Sequence, residues 1–563
     1  MNTGPQRPEA PAGADAPQRV ATPAGENAWR SATGSGAAVL SQEPGPSADD
    51  SQYGIIRDAL PPWDVRWVGV IAGVTAVVLC LRAGRYGYFG DELYFLSAGR
   101  HLAVGYADQG PLVPVLARAA GWIAPESVTV LRIPSIVCAV AAISVCAALA
   151  REFGGGRGAQ RMAALAYATS PFVITAAATL STFAIDATLS AALLWMLVRW
   201  SRIRDDRLLL GAAVIAAVDL QVKLLLPVLG AGIVLGFLIF GPRAVCRRPL
   251  LWAGISAAGL SAVPSLWWQV RHGWPQLAMG PVIAAEQRAA TGGVGGLPMQ
   301  WALLLGVFGC PVAAAGLWAL LRSPALRPYR FAAVAVLVQA LFVVVTDSRP
   351  YYLAGLFPVL LAAGAVWYAD RDRRTWLDIA GRGVAVVSMV IALAVVVLLP
   401  LPASSLREPA DTQRAASLRM RLFGVSGWAE MVTAVDAAVL GLDPDASSHV
   451  VLIAQNYWQA AALDELGVGL PPVYSANRGF AYFGSPPETA TTVLYVGSSS
   501  AETSLRQMFS EARPISRLDA PLGFPGITRH VVIWRCDHPL RPWSDIWPDW
   551  HTTILDSGEG IDR

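Results

Sequence analysis

Lysine is nearly absent from this sequence. Its 563 residues include 43 lysines and arginines together, and Lys223 is the only lysine among them. Charge of either sign is scarce too, at 15% of residues against roughly 25% in a typical soluble domain. The net charge of +3 is too small to favour a nucleic-acid partner. With 54% hydrophobic residues, the chain is typical of a membrane protein and not of a soluble enzyme.

Cysteine is also sparse and shows no metal-binding or disulfide pattern. The chain has six cysteines, and four of them, Cys80, Cys138, Cys146 and Cys310, lie inside hydrophobic runs. There is no CxxC pair and no Cys/His spacing of a zinc site. The sequence therefore indicates neither a disulfide framework nor a metal centre built on cysteine.

The N-terminal segment 1–63 has few aromatic residues and is rich in Pro, Ala, Gly and Ser. It lacks the charged-then-apolar order of a signal peptide. Such a composition cannot bury enough apolar surface to order a chain, so we predict a disordered cytoplasmic tail.

Long uncharged runs are what the chain has in abundance. They cover residues 67–81, 133–150, 162–185, 187–198, 208–218, 224–242, 249–270, 289–321, 331–346, 350–369 and 383–406. A helix needs about 20 apolar residues to cross a bilayer, and fewer where flanking charges extend to the surface. The runs predict a polytopic α-helical membrane protein with about 11 transmembrane helices, two of them short and joined by a turn near Lys223.

Arginine is confined to alternate loops, which predicts the orientation. The loops 151–161, 199–207, 243–248, 322–330 and 371–382 each hold three or four arginines, whereas 181–186 holds none. By the positive-inside rule the arginine-rich loops are cytoplasmic. We therefore expect a plasma-membrane protein with its N-terminus inside and its C-terminus outside. The first outer loop is then 83–130, and a membrane domain of residues 64–402 precedes an extracytoplasmic part, 403–563.

The C-terminal part has a different texture. The β-branched stretches SHVVLIAQ, TTVLYVG and HVVIWRC alternate with helical patterns such as NYWQAAALDELG. This alternation predicts a small α/β domain with a partly parallel sheet.

The first outer loop carries the most informative residues, in the stretch YGYFGDELYFLSAGRHLAVGYADQGPLVPVLAR at 86–118. Apolar positions recur over 92–103 and predict an interfacial helix on the outer membrane surface, with Asp91 at its N-terminal end. Asp91 is either a cap for this helix or a general base aimed at a bound substrate. Asp108 is either a turn residue before Gly110 or a second acid.

Lys223 also allows two interpretations. It is either a lysine that marks the end of a span or a cation that holds a lipid-linked phosphate at the depth of the bilayer. The compact charge of lysine suits a phosphate in a tight pocket, which favours the second interpretation.

Five segments together resemble the family 39 polyprenyl-phosphate-sugar glycosyltransferases, in an actinobacterial-type form. This family is related to protein O-mannosyltransferases and to the aminoarabinose transferases of lipid A. The segments are FGDELYFLSAGRHLAVGYADQGPL (89–112), VDLQVKLLLPV (218–228), WWQVRHGWPQLAM (267–279), DSRPYYLAGLFPVLLAAG (347–364) and QNYWQAAALDELG with PPVYSANRGF (455–480). The resemblance implies a GT-C fold.

The resemblance also implies roles for residues of the first outer loop. Asp91 matches the catalytic base of the family, and Asp108 matches the second acidic position. Glu92, the neighbour of Asp91 in the Asp-Glu pair, is assigned with them to the catalytic group, as the residue that orients the other two. Relatives often have a lysine after that second acid, and here Gln109 stands in its place. Tyr94, which lies between the two acidic sites, is assigned to substrate binding together with Gln109.

Other implied substrate contacts lie further along the chain. Lys223 falls where family members place a lysine toward the lipid phosphate. Arg349 is a candidate second phosphate contact, and Tyr352 lies close to it in the sequence. In some relatives a later histidine and the second acid hold a metal, which would pair His272 with Asp108. His272 is otherwise a plain loop residue. Two ligands make a weak site, so we expect no cofactor, with a divalent metal as a minor alternative. Asp186 either lines the site or ends a span.

The expected activity is inverting transfer of a sugar from a polyprenyl-phosphate donor to an extracytoplasmic protein, lipid or cell-wall glycan. Mannose is the sugar that the resemblance favours. A secondary transporter is the main alternative. Transporters usually show two similar halves and a mid-membrane site, and neither feature is visible in the sequence. A non-catalytic member that binds cell-wall polymers is a third possibility.

Overall fold

The computed structural model describes residues 60–370, 375–406, 413–443, 449–520 and 523–554. These residues belong to one compact unit that spans 49–563. The disordered tail predicted for 1–63 lies outside the described residues except for its last four positions. The boundary predicted near residue 402 between membrane and C-terminal parts stays a prediction.

Most of the described chain is helical. The α-helices, numbered in chain order, are α1 Val65–Ala83, α2 Gly90–Arg100, α3 Leu112–Ile123, α4 Val128–Glu152, α5 Arg157–Ala168, α6 Pro171–Ala176, α7 Thr182–Ile203, α8 Arg207–Leu220, α9 Leu226–Phe240, α10 Pro249–Arg271, α11 Pro275–Thr291, α12 Leu297–Arg322, α13 Arg330–Thr346, α14 Phe357–Ala369, α15 Thr375–Leu398, α16 Gln413–Phe423, α17 Trp428–Leu440, α18 Tyr457–Leu466, α19 Glu502–Met508 and α20 Trp543–Trp550. The predicted turn near Lys223 is confirmed, because Lys223 lies between α8 and α9.

Eight helical segments in the described ranges are long and apolar enough to cross a membrane. They are Val65–Ala83, Val128–Glu152, Thr182–Ile203, Pro249–Arg271, Gly293–Arg322, Arg327–Thr346, Pro350–Ala369 and Gly381–Leu398. A polytopic helical membrane protein is thereby confirmed. The other three predicted spans fall on shorter helices (α5 with α6, α8, and α9), so the total of about 11 stays a prediction.

One of those runs is not the continuous helix that its apolar composition suggested. Residues 162–185 are divided among α5, α6 and the start of α7. The hydroxyl of Ser170 accepts a hydrogen bond from the Val173 backbone N–H and caps α6, whose first residue is Pro171. A proline ring lacks the N–H that would continue the preceding helix. The break therefore has a local cause that hydropathy does not register.

Small residues let the membrane helices approach closely. At Gly316 of α12 an added Cβ would strike the backbone of Leu360, and at Gly364 of α14 it would strike Val312. Such close backbone contacts at small residues replace the hydrophobic driving force that lipid does not supply. They fix α14, whose N-terminal approach carries Arg349 and Tyr352.

Three arginine-rich loops meet at one end of the helices. Glu152, at the end of α4, accepts hydrogen bonds from Arg199 at 2.9 Å and from Arg202 at 2.7 Å. Its backbone carbonyl also accepts a bond from the Tyr329 hydroxyl. The contacts bring the loops 151–161, 199–207 and 322–330 together, as a common membrane side requires. Which side this is stays a prediction.

The C-terminal part contains a five-stranded sheet in the order β2-β1-β3-β5-β4. The strands are β1 Val450–Ala454, β2 Val473–Tyr474, β3 Thr492–Ser498, β4 Phe509–Leu518 and β5 Val531–Pro539. Strand β1 pairs in parallel with β2 and β3, whereas β5 pairs antiparallel with β3 and β4. The predicted partly parallel sheet is confirmed. The sequence pattern missed β2, which has two residues, and β4, an edge strand rich in charge.

The helix expected over 92–103 is α2, which ends at Arg100, and its place on the membrane surface stays a prediction. Arg100 is half exposed, but its side chain and that of Ser97 also make contacts that the sequence did not predict. The Ser97 hydroxyl donates to Asp464 over 2.7 Å, and Arg100 forms ion pairs with Asp464 at 2.5 Å and Glu465 at 2.7 Å. Leu93 on the same helix is fully buried. Helix α2 therefore packs against α18 of the C-terminal domain, and its polar residues bind that domain because the two surfaces are complementary in charge.

Candidate active site

Asp91 is held by two residues of the C-terminal domain. The Tyr457 hydroxyl donates to Asp91 Oδ1 over 2.7 Å, and the Trp458 indole N–H donates to the same oxygen over 2.8 Å. Gly90 makes this approach possible, since any Cβ there would overlap the Trp458 ring. Among the described residues no group bonds Asp91 Oδ2. One oxygen is thus anchored, and the other is available to a substrate.

Asp91 does not cap α2. That role belongs to Glu92, whose Oε2 accepts the Phe89 backbone N–H over 3.0 Å. The interpretation of Asp91 as only a helix cap is therefore wrong. The reason is local, because the third helical residue is the one that can reach back to the first free N–H.

Glu92 is saturated by structural contacts. Its two oxygens accept bonds from Arg132 at 2.8 and 2.7 Å, and Oε1 also accepts the Leu180 backbone N–H over 2.8 Å. The Glu92 side chain is 0% exposed and that of Arg132 is 1% exposed. Arg132 further donates to the carbonyls of Ala83 and Gly87. This geometry suits a residue that positions the loop, whereas the sequence prediction placed Glu92 among the catalytic residues.

Asp108 is half-buried and close enough to Asp91 for that charge to act on it. Burial, followed by the charge of Asp91, raises the pKa of Asp108 to about 6, although Arg478, Tyr94 and Lys223 act to lower it. The Tyr94 hydroxyl is 3.3 Å from Asp108 Oδ1. Burial and Asp108 in turn raise the pKa of Tyr94 well above its usual range, so Tyr94 stays a hydrogen-bond donor.

The lone lysine faces two tyrosines. Lys223 Nζ donates to the Tyr352 hydroxyl over 3.0 Å. It lies 4.3 Å from the centre of the Tyr352 ring and 6.0 Å from that of Tyr351. These contacts hold the ammonium by its hydrogen bond and by cation–π attraction, and they leave it without a carboxylate within ion-pair distance among the described residues. A cation held this way can accept an anionic ligand.

A second cationic group joins the membrane helices to the C-terminal domain. Arg349 donates to Glu286 Oε2 over 2.5 Å, and Arg478 donates to Glu286 Oε1. Arg478 also lies over the Tyr457 ring, 5.3 Å from its centre. Burial disfavours the charged guanidinium of Arg478, but Tyr457 and the nearby carboxylates outweigh burial and raise its pKa. The site thus has three cations, Lys223, Arg349 and Arg478, which come from different segments of the chain.

Two further predicted residues have contrasting positions. Gln109 is buried, at 2% exposure, and its side-chain Nε2 has no hydrogen-bond partner within the described part of the chain. His272 is exposed, its Nδ1 lies 2.8 Å from the Trp268 carbonyl, and its ring stacks on Trp268. No contact among the described residues joins His272 to Asp108. The same part of the chain holds no group of three or more His, Cys, Asp and Glu residues suited to a metal.

Asp186, for which the sequence left two roles open, lines a small cavity with Tyr352. Ser190 and Gln339 line the same cavity. Asp186 therefore lies next to the partner of Lys223 and not merely at the end of a span.

Sequence reasoning missed the roles of Tyr457, Trp458, Glu286 and Arg478. The first two and Arg478 fall inside segments that carry the family resemblance, but nothing in those segments shows what they touch. Glu286 had a usable signal: it is the only acid in the stretch 271–298, which follows one long apolar run and leads into the next. An isolated acid beside a membrane invites the same question that Asp91 does.

The comparisons with known proteins agree with this architecture. The family model described as dolichyl-phosphate-mannose-protein mannosyltransferase matches residues 108–268. No curated protein shows significant sequence similarity to the chain.

Solved structures match over most of the chain. The crystal structure of ArnT from Cupriavidus metallidurans bound to undecaprenyl phosphate has 16% identity and a TM-score of 0.55, covering 84% of this chain and 98% of that one. The apo structure of the same protein has 15% identity and a TM-score of 0.57, covering 83% and 97%. At such identity the likeness is one of fold.

Family model and fold together support a glycosyltransferase, and they give no support to a transporter. The chain thus has the GT-C fold, and its predicted resemblance to the family 39 polyprenyl-phosphate-sugar glycosyltransferases is confirmed.

Proposed function

We propose that this protein transfers a sugar from a polyprenyl-phosphate donor to a hydroxyl of an extracytoplasmic acceptor, with inversion at the anomeric carbon. Mannose is the first candidate for this sugar. The matching family model is one of mannosyltransferases, and a structure of similar fold contains undecaprenyl phosphate. Both observations support a lipid-phosphate donor. The acceptor is a protein, a lipid or a cell-wall glycan.

The observation that carries the proposal is a half-anchored carboxylate next to a group of cations. Asp91 keeps Oδ2 available while Tyr457 and Trp458 hold Oδ1. The positive charge of Arg478 acts on both Asp91 and Asp108, and that of Lys223 acts on Asp108. A base and an anion site are therefore close together, as transfer from a phosphate requires.

The reaction is a single displacement. The acceptor oxygen attacks the anomeric carbon as the bond from that carbon to the phosphate oxygen breaks. Asp91 Oδ2 takes the hydroxyl proton, and the phosphate leaves with the bonding electron pair. Lys223 and Arg349 meet the charge that develops on the phosphate. Attack opposite to the leaving group inverts the anomeric centre.

We also propose that transfer needs no cofactor. The lipid phosphate is already a leaving group, and side-chain cations can neutralise it. A metal shared by Asp108 and His272 remains the alternative, and chelation separates the two. Under our proposal, EDTA followed by gel filtration leaves the transfer rate unchanged, whereas a rate restored only by added divalent cation supports the alternative.

The experiment that tests the function follows labelled sugar in membranes containing the full-length protein. Mannosyl and arabinosyl polyprenyl phosphates are compared as donors, with transfer to endogenous acceptors as the readout. The D91N variant should insert normally and transfer nothing, because Asn cannot take the proton. Glu502→Gln, which alters an exposed i,i+4 pair with Arg506, is the matched control. Full activity of D91N would show that Asp91 is not the base. Movement of the labelled sugar across the membrane without transfer to an acceptor would refute the proposed glycosyltransferase activity.

A further inference from the structure

Glu286 links two arginines that come from distant parts of the chain. Its Oε2 accepts a 2.5 Å hydrogen bond from Arg349, at the approach to α14, and its Oε1 accepts one from Arg478. Both guanidiniums are largely buried, at 25% and 10% side-chain exposure. A carboxylate with one oxygen on each arginine shows that the two guanidiniums point at one shared position.

Arg478 is fixed in that direction by its backbone. Its φ of +47° is rare for a residue with a side chain. The backbone N–H donates to the Thr552 carbonyl over 2.7 Å, and Nε donates to the Thr553 carbonyl over 3.0 Å. These bonds maintain the unusual conformation and leave the terminal nitrogens of the guanidinium to face Glu286. A surface arginine has no reason to be held in this way.

The shared position lies next to the proposed chemistry. Arg478 is close enough to Asp91 and Asp108 for their charges to act on it. Guanidinium groups bind carboxylates and phosphates with the same fork of N–H donors. The position that accepts the carboxylate of Glu286 is therefore chemically suited to a phosphate as well.

We infer that Arg349 and Arg478 form a two-arginine clamp for the phosphate of the lipid donor, and that the Glu286 carboxylate competes with this phosphate for the clamp. The inference rests on the proposed function and adds Arg478 to its phosphate contacts. It also assigns a role to Glu286, which concerns the difference in charge between the donor and the product. A phosphodiester donor carries one negative charge, whereas the phosphomonoester left after transfer carries up to two.

Competition from Glu286 matters most for that product. Clamp and lysine together would retain a dianionic lipid phosphate tightly, which would slow turnover. A carboxylate on a neighbouring helix that can return to both arginines opposes this retention. Product release is a common limit on turnover, so Glu286 should raise turnover at the expense of lipid affinity.

The test measures binding of undecaprenyl phosphate to the purified full-length protein in detergent. In the E286Q variant an amide replaces the competing charge. We expect lipid binding to tighten roughly three- to tenfold, because the neutral amide competes less well for the two arginines. A tenfold change corresponds to about 1.4 kcal/mol. Steady-state turnover should fall while the single-turnover rate stays near that of the wild type. Glu502→Gln should change neither value. E286Q that is folded and binds the lipid as the wild type does, or more weakly, overturns the inference.

A second variant tests the clamp even if E286Q fails to fold and cannot be purified. Arg478→Lys keeps the charge but loses the fork, and it should weaken lipid binding at least threefold. Unchanged binding in Arg478→Lys removes Arg478 from the clamp. The two levels of failure are distinct. A wild type that neither binds the lipid nor transfers sugar refutes the proposed function, whereas a wild type that does both with unresponsive variants refutes the clamp alone.

Discussion

Tyr457 donates a 2.7 Å hydrogen bond to Asp91 although the two residues are 366 positions apart in the chain. Its neighbour Trp458 bonds the same carboxylate oxygen. The C-terminal domain therefore supplies part of the candidate active site and is more than an appended module. A carboxylate anchored through one oxygen has a fixed direction for the other, which is what a general base needs.

Loss of the tyrosine hydroxyl should slow the reaction and spare the fold. In Tyr457→Phe, Asp91 keeps the Trp458 bond but loses part of its orientation. We expect kcat to fall about ten- to a hundredfold, since hydrogen bonds to charged groups contribute about 1.5–3 kcal/mol. Transfer kinetics in membranes measure the change. Tyr474→Phe, in strand β2 of the same domain, is the control. Equal rates for the two variants would show that Tyr457 does not orient the base.

Asp108 should give the reaction an ionisation near pH 6. Burial and then the Asp91 charge raise its pKa to about 6 from the usual 3.8. As the pH falls through 6, Asp108 takes up a proton, and the site loses a negative charge that balances the positive charges of Arg478 and Lys223. We expect kcat/KM of the wild type to decrease below pH 6. Asp108→Asn should be slow throughout and lack this inflection in its pH–rate profile.

The same carboxyl group should make the fold less stable as the pH rises. The folded protein holds the Asp108 proton up to about pH 6, whereas the unfolded chain releases it near the usual 3.8. Stability therefore decreases between these values, and the penalty is complete above the folded pKa. Asp108→Asn carries no charge, so its Tm should exceed that of the wild type at about pH 8, and the difference should shrink towards about pH 4. A difference that does not vary with pH would contradict this origin.

Glu92 should behave as a structural residue despite its place beside Asp91. Glu92→Gln leaves the buried guanidinium of Arg132 without its counter-charge. Removing one partner of a buried ion pair costs about 3–5 kcal/mol. We expect a large loss of folded protein, seen as a lower Tm in detergent and a smaller yield in membranes. Asp91→Asn is the matched control, with normal yield and no transfer. A stable but inactive Glu92→Gln would instead make Glu92 a direct participant.

The sequence carried much of the fold because membrane helices leave a strong local signal. Uncharged runs located the long helices, and β-branched runs located β1, β3 and β5. The two features of the fold that these patterns did not predict have local physical causes. Ser170-Pro171 interrupts an apolar run whose hydropathy is uniform, and β4 lies at the edge of its sheet, where charged residues are tolerated.

The site was only half visible for a different reason. Asp91, Asp108 and Lys223 each stand out against their own neighbourhood as charges near apolar segments. Arg478 and Glu286 meet across 192 positions, and nothing near either one in sequence encodes the other. The contacts of the polar side of α2 could not be predicted for the same reason, since Asp464, the partner of Ser97, lies 367 positions away. Periodicity shows that a face is polar but not what covers it.

Lys223 should govern use of the donor. Lys223→Ala removes the ammonium that Tyr352 holds, and with it one cation facing the phosphate. Because the phosphate gains charge as it leaves, both donor binding and the chemical step should suffer. We expect kcat/KM for the donor to fall at least about a hundredfold, with donor KM raised, since charge-assisted bonds to phosphate are roughly twice as strong as neutral ones. Tyr352→Phe, which keeps the lysine but loses its hydroxyl partner, should show a much smaller loss. If donor KM and rate are unchanged in Lys223→Ala, the lysine marks the end of a membrane span and takes no part in binding phosphate.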